Sequence, residues 1–287
     1  MKNFLLCTDG SNFAENIYRY GAWFAEKLEA QIKVLSVTDL RSQQVTTTGN
    51  LSGIIGLGTS EDLLNQLVNL EHEKAKLSHQ KTKLILQKAE EFFHHQGITN
   101  FISIHKKGFL VDLLQELEKE TDLIILGKKG ENAEFASSHL GSNLERIVRS
   151  SHKPCLIIPE KFKPIKNLLL AYDGSITCQK IIQFLADSNL IESLELHIIT
   201  VGRNQEDTTA IKRLEEVKKL VEKANFSANF TLLEGHPEKA IAEYEEKNDI
   251  SMLLMGAYGH SRIRQLVIGS TTAQILRSSN IPVLVFR

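Results

Sequence analysis

Met252-Leu-Leu-Met255 runs straight into Gly256-Ala-Tyr-Gly259; after nine intervening residues comes Gly269-Ser-Thr-Thr272, and the apolar Pro282-Val-Leu-Val-Phe286 follows ten residues further on. An apolar strand that stops on glycines, followed by a helix opening on Gly-Ser, is how a backbone builds an anion cradle. Free N–H groups converge there, the helix dipole favours negative charge, and no Cβ blocks close approach. The stretch reads as strand, phosphate-type loop, helix and strand, and a nucleotide is the ligand that suits it.

The same landmarks occur once before, in the same order. Leu123-Ile-Ile-Leu126 feeds Gly127-Lys-Lys-Gly130, ten residues follow, and then Gly141-Ser142, at an offset of 129 for the first glycine. Asp9-Gly10-Ser11 matches Asp173-Gly174-Ser175 at an offset of 164, and Pro154-Cys-Leu-Ile-Ile158 matches Pro282 to Phe286 at 128. A repeat of that length suits a whole domain rather than a solenoid unit. The 287 residues divide at the polar link Glu160-Lys-Phe-Lys-Pro164 into domains 1–160 and 165–287.

Asp9 to Gly127 spans 118 positions, whereas Asp173 to Gly256 spans 83, so the first domain carries 35 extra residues. Their expected place is after its second strand, near 40–75. Residues 40–60 mix glycines with Leu51, Ile54, Ile55 and Leu57, which reads as a mobile flap or a docking surface. Ser60-Glu61-Asp62 is placed to cap a long helix running to about His95.

Between landmarks, strands alternate with helices. The first half gives strands at 3–8, 31–38, 100–106, 123–127 and 154–159, and helices near 12–29, 61–96, 110–120 and 142–151. The second gives strands at 166–172, 194–201, 229–234, 251–256 and 282–286, with helices near 176–189, 206–224, 237–247 and 270–279. Nearly continuous apolar strands such as Leu194 to Val201 belong to parallel sheets covered on both faces. Five strands per half, alternating with helices, define two tandem doubly wound α/β domains.

Composition narrows the function. Lys and Arg total 34 against 35 Asp and Glu, and no basic run stands out, so nucleic-acid binding lacks its usual electrostatic footprint. Met1-Lys2-Asn3 passes directly into the first strand, no apolar stretch approaches the roughly 20 residues of a membrane span, and a cytoplasmic protein is expected. Cys7, Cys155 and Cys178 are scattered and odd in number, as befits reduced core residues.

Together these landmarks resemble the universal stress protein family in its tandem two-domain form, across essentially the whole chain. The most specific element is the second domain's glycine pattern, Gly256, Gly259, Gly269 and Ser270, with Asp173 closing the first strand before Gly174-Ser175. The resemblance implies a Rossmann-like strand order 3-2-1-4-5 and an adenine-nucleotide site at the carboxyl ends of the sheet, where the order reverses. It implies that Asp173 accepts hydrogen bonds from the ribose and that Val201 faces adenine. Gly256 and Gly259 would wrap the phosphates, and Gly269, Ser270 and Thr271 would bind their oxygens. Ala171, Tyr172, Met255 and Thr272 complete the implied set. ATP is the expected nucleotide, with Mg²⁺ as its companion rather than held in an acidic cage of its own.

The first domain departs from the pattern. Its loop holds ten residues rather than nine and carries Glu131 and Glu134, which oppose a polyphosphate, against Lys128 and Lys129, which favour it. Asp9, Val37, Gly127, Gly130, Gly141, Ser142 and Asn143 form the corresponding second set, with assembly or regulation as the alternative role for this domain. The family's order also leaves residues 154–159 and 282–286 as sheet edges, and two such edges within one chain are expected to pair as a pseudo-dimer. Further dimerisation would then use other surfaces.

No catalytic constellation stands out. The chain has no G-x4-G-K-[ST], H-E-x-x-H or G-x-S-x-G. His94-His95 reads as a cationic helix end, and Arg262 and Arg264 as solvated loop charges. His260 lacks a carboxylate placed to activate water. The expected function is adenine-nucleotide binding in a stress response, with a protein partner that the sequence does not name. The alternatives are a slow nucleotide hydrolase or phosphotransferase, and a nucleotide-free scaffold holding an apolar ligand or protein through residues 40–60.

Overall fold

Strands form here because their residues are apolar on both sides of the pleat. In β1 (Asn3–Cys7), Phe4 and Leu6 enter one core while Leu5 and Cys7 enter another, and all four are buried. Such a strand requires helices on both faces. The computed structural model describes residues 1–39, 60–130, 142–257 and 269–287, without the side chains of 60–64, 142 and 189. The expectations for residues 40–59, Glu131, Glu134, Gly141, Gly259, His260, Arg262 and Arg264 lie outside the described residues, as does the side chain of Ser142.

The first half continues with α1 (Ala14–Leu28), β2 (Gln31–Asp39), α2 (Ser60–His95), β3 (Phe101–Gly108), α3 (Leu110–Leu117), β4 (Leu123–Gly127), α4 (Ser142–Ser150) and β5 (Cys155–Ile158). The second half repeats the order as β6 (Asn167–Ala171), α5 (Ile176–Ala186), β7 (Glu195–Gly202), α6 (Thr208–Lys223), β8 (Asn229–Glu234), α7 (Pro237–Lys247), β9 (Met252–Gly256), α8 (Ser270–Ser278) and β10 (Val283–Phe286). One core joins α1, α2, α5 and α6 to one face of the sheet; the other core joins α3, α4, α7 and α8 to the opposite face. The three cysteines are reduced and buried, and burial raises the pKa of each thiol. The helix α2 has 36 residues where its counterpart α6 has 16. Among the described residues no helix is long and apolar enough to cross a membrane.

Both halves keep the expected order, and they join into one ten-stranded sheet, β3-β2-β1-β4-β5-β10-β9-β6-β7-β8. Pairing is parallel within each half. At the centre β5 meets β10 antiparallel, with Cys155 opposite Val285, Leu156 opposite Leu284 and Ile157 opposite Val283. Two apolar edges that would otherwise invite foreign strands cover one another.

Charged side chains lock the seam. Lys128 Nζ crosses it to donate to the carbonyls of Arg277 at 2.5 Å and Ser279 at 2.8 Å, at the carboxyl end of α8. Arg287 reciprocates, donating to the carbonyls of Arg149 at 2.8 Å and Ser151 at 3.1 Å, at the end of α4. Each cation satisfies carbonyls that the helix leaves without partners and complements the negative end of its dipole. The link is pinned on both sides as well. Tyr20 exchanges hydrogen bonds with the backbone N–H and C=O of Lys163, both at 2.9 Å, while Lys163 Nζ reaches Asp249 Oδ1 at 2.8 Å and the Ile250 carbonyl at 3.0 Å.

Candidate functional site

The strand order reverses between β6 and β9, which pair in parallel. The helix after β6, α5, packs on one face, and the helix following β9, α8, packs on the other. A crevice opens at the carboxyl ends of such a strand pair. Asp173, Gly174 and Ser175 follow β6 there, and Gly256 and Ala257 end β9.

A tight turn fixes Asp173. Its Oδ1 accepts the Ser175 N–H at 2.9 Å, Gly174 supplies φ +78°, and the Cys178 thiol donates to the same oxygen at 3.2 Å. Burial is the main reason that thiol is pushed up to about 12, and the Asp173 charge adds to it, so Cys178 stays a donor beneath the carboxylate. Capping of α5 falls to Ser175, whose hydroxyl accepts the Cys178 N–H at 3.3 Å. Asp173 is therefore not the helix cap.

Both glycines leave their backbone bare, with their nearest neighbours at ordinary contact distance from a Cβ. A Cβ on Gly256 would stand 3.4 Å from Thr177 and 3.8 Å from Ser175 Oγ. Gly269 is the N-cap of α8 and offers no side-chain acceptor to that helix's first N–H groups. Thr272, buried in the first turn, donates to the Ala257 carbonyl at 2.9 Å and ties the helix start to the end of β9. Its hydroxyl serves the scaffold.

Among the other expected positions, the sheet brings Ala171, Val201 and Met255 to one face. Ala171 lies in register between Ile199 and Met255, and Val201 follows Ile199 by two residues on the same side. Tyr172 points the opposite way. Its ring is buried in the core, its hydroxyl bonds Glu216 Oε1 at 3.1 Å, and its N–H bonds the Ile199 carbonyl at 2.8 Å. Strand alternation from Leu170 carried this signal. Cys178, Thr177 and Arg213, whose Cγ lies 3.2 Å from a Cβ on Gly174, are neighbours that the motif did not reveal.

The first domain repeats the turn and fills the space. Asp9 Oδ1 accepts the Ser11 N–H at 3.0 Å, and Gly10 adopts φ +71°. Ile85 of α2 presses on Gly10, 2.5 Å from where a Cβ would be, and a Cβ on Gly130 would stand 2.8 Å from Asp9 Oδ2. Gly127 packs on Ile17 and on the Lys129 carbonyl. Val37 is half-buried in β2, opposite Lys106, and Asn143 lies in the first turn of α4. The loop lysines are engaged elsewhere: Lys128 caps α8, and Lys129 Nζ pairs with Glu160 Oε1 at 2.6 Å.

A tandem of doubly wound domains with glycine-lined crevices at the strand ends defines the class, and comparison with known proteins gives the family. The model of the universal stress protein family matches residues 1–159 and again 164–287, so the chain belongs to that family. It is 58% identical over 287 residues to a universal stress protein of Synechocystis sp., Slr1230, covering 100% of both chains. A solved universal stress protein from Archaeoglobus fulgidus superposes with a TM-score of 0.68 at 21% identity, over 99% of this chain and 96% of its own. A universal stress protein solved in complex with cAMP matches 44% of this chain and 98% of its own, at 20% identity and a TM-score of 0.37.

Proposed function

We propose that the second domain binds an adenine nucleotide, ATP foremost, in the crevice between β6 and β9, and that the bound state is passed to a protein partner in a cytoplasmic stress response. The observation that carries this reading is the convergence, at one strand reversal, of the Asp173 turn, the bare backbone at Gly256 and a helix that begins at Gly269 without a side-chain cap. In this reading Asp173 accepts the ribose hydroxyls. Ala171, Met255 and the backbone of Val201 receive the adenine. Gly256, Gly259, Gly269, Ser270 and Thr271 take the phosphates at the positive end of α8.

The residues present fit such a ligand. A side chain at Gly256 would narrow the cradle against Thr177, and the nearest atoms to a Cβ on Gly269 are Thr272 Oγ1 and the Ala257 carbonyl, at 3.5 and 3.7 Å. ATP would bring Mg²⁺ with it. Thr272 holds the helix start in place, and Tyr172 holds the strand end. In the first domain the closeness of Gly130 to Asp9 and the engagement of both loop lysines favour weaker binding or none. Among the described residues no group is aligned to activate water, which favours at most slow hydrolysis.

Native mass spectrometry of the purified protein tests the reading. It is expected to show one adenine nucleotide per chain, or to take one up on addition of ATP, and Gly269→Val is expected to abolish the adduct while the far-UV spectrum is kept. A chain that stays nucleotide-free at millimolar ATP would sink the proposal.

A further inference from the structure

We propose that the second domain has another ligand site, a cleft between α7 and the carboxyl end of α8 that takes a small organic ammonium ion. Helices of each half run back against parallel strands, so α7 and α8 finish at the amino edge of the sheet, where Ile250 and Ile281 lead into β9 and β10. The proposed nucleotide crevice lies at the opposite, carboxyl edge. Between α7, the end of α8 and the link that joins the domains is a cleft of about 400 Å³, within the range of small-molecule sites.

Its walls are apolar. Ile241, Ile250, Ile275 and Ile281 line it, and all four belong to the core beneath. Against them α7 sets Glu245, one helical turn after Ile241 and so on the same face. Its Oε1 is buried and has no hydrogen-bond partner among the described residues. A carboxylate placed in this way costs free energy until a donor reaches it. The lysine at the rim, Lys163, is already spent: its Nζ donates to Asp249 Oδ1 at 2.8 Å and to the Ile250 carbonyl at 3.0 Å.

Charge selects the occupant. Glu238 and Glu246 join Glu245 in the lining, Asp249 offsets Lys163, and the end of α8 brings Ser278, Ser279 and Asn280 but no charged side chain. The carboxyl end of α8 adds the negative end of its dipole. All of these favour a cation and oppose an anion. Isoleucine walls offer a metal ion no oxygen ligands, whereas they suit a hydrocarbon chain. An alkylammonium meets both demands, with its chain on the isoleucines and its N–H groups on Glu245. Burial pushes the Glu245 carboxyl up to about 7, against the pull of Lys163, so an ammonium ligand displaces a proton near neutral pH.

Ligand-observed NMR on the full chain, with n-hexylammonium as the probe, tests this. At pH 8 saturable binding with a Kd of roughly 1 mM is expected, in keeping with so small a ligand. Neutral n-hexanol is expected to bind at least about tenfold more weakly, and hexanoate more weakly still. Glu245→Gln is expected to weaken hexylammonium at least about tenfold. Ala242→Trp, at the exposed rim of the cleft, is expected to block it without altering the carboxylate, and melting curves check that both variants fold. Lowering the pH from 8 to 6 is expected to weaken binding to the parent about tenfold as Glu245 takes up its proton, and to leave the residual binding of Glu245→Gln unchanged. Absence of saturable binding, which would leave Glu245 to water alone, would overturn the proposal. Hexanol bound as tightly as hexylammonium, or full binding by either variant, would do the same.

Discussion

Asp173 shows how much one residue's surroundings decide. Its turn needs a left-handed residue at Gly174, and Arg213 occupies the space where a side chain would go. Gly174→Ala is therefore expected to cost about 1–2 kcal/mol from the backbone alone, more if Arg213 cannot move, and urea denaturation would measure it. An unchanged midpoint would contradict the strain. Glu245 is a second case. Burial pushes its carboxyl up to about 7, Lys163 pulls the other way, and its Oε1 has no hydrogen-bond partner among the described residues. Between the unfolded carboxyl's range near 4.5 and about 7, the folded chain holds a proton that the unfolded chain has lost. Stability should then fall as pH rises through that window. Glu245→Gln is expected to flatten that slope and to raise stability at pH 8 by about 1–3 kcal/mol. Thermal melts at pH 5 and pH 8 would show it, and a variant that keeps the slope would refute it.

At the scale of elements the strands and the helices were both legible, and the contacts of single side chains were less so. Runs such as Leu168-Leu-Leu170 and Met252-Leu-Leu-Met255 are buried on both faces, and burial of that kind leaves an apolar run that needs no knowledge of the partner strand. The reversal between β6 and β9, and hence the crevice, followed from the repeat and the glycines. Tyr172 misled: adjacency to Asp173 in sequence places its ring on the opposite face. Lys128 was read as loop charge because its acceptors, Arg277 and Ser279, lie 149 and 151 positions away. Burial lowers the pKa of the Lys128 amine, yet two carbonyls at a helix end hold it. Lys128→Met is expected to destabilise the fold by about 1–2 kcal/mol, the scale of charge-assisted hydrogen bonds at a helix terminus. A denaturation curve that overlays the parent's would remove the cap from the account.

For the whole molecule, the antiparallel junction of β5 and β10 turns two domains into one sheet with continuous cores on both sides. Unfolding should therefore be a single cooperative event. Trp23, the only tryptophan, lies in the first half, whereas helix content reports on both. Fluorescence and far-UV circular dichroism are expected to trace one denaturation curve, and separate midpoints would mean that the halves unfold independently. The same architecture repeats the Asp-Gly-Ser turn at both strand reversals but leaves the halves chemically unequal. Gly130 crowds Asp9, Lys128 is spent on the seam and Lys129 on Glu160, whereas among the described residues nothing stands closer than 3.4 Å to a Cβ on Gly256 or Gly269. Calorimetric titration of ATP into Asp173→Ala and Asp9→Ala, each checked for intact folding, tests that inequality most directly. The account predicts a loss of about 1.5–3 kcal/mol for Asp173→Ala, or roughly 10- to 150-fold in affinity, and little change for Asp9→Ala. Binding abolished by Asp9→Ala and untouched by Asp173→Ala would contradict it.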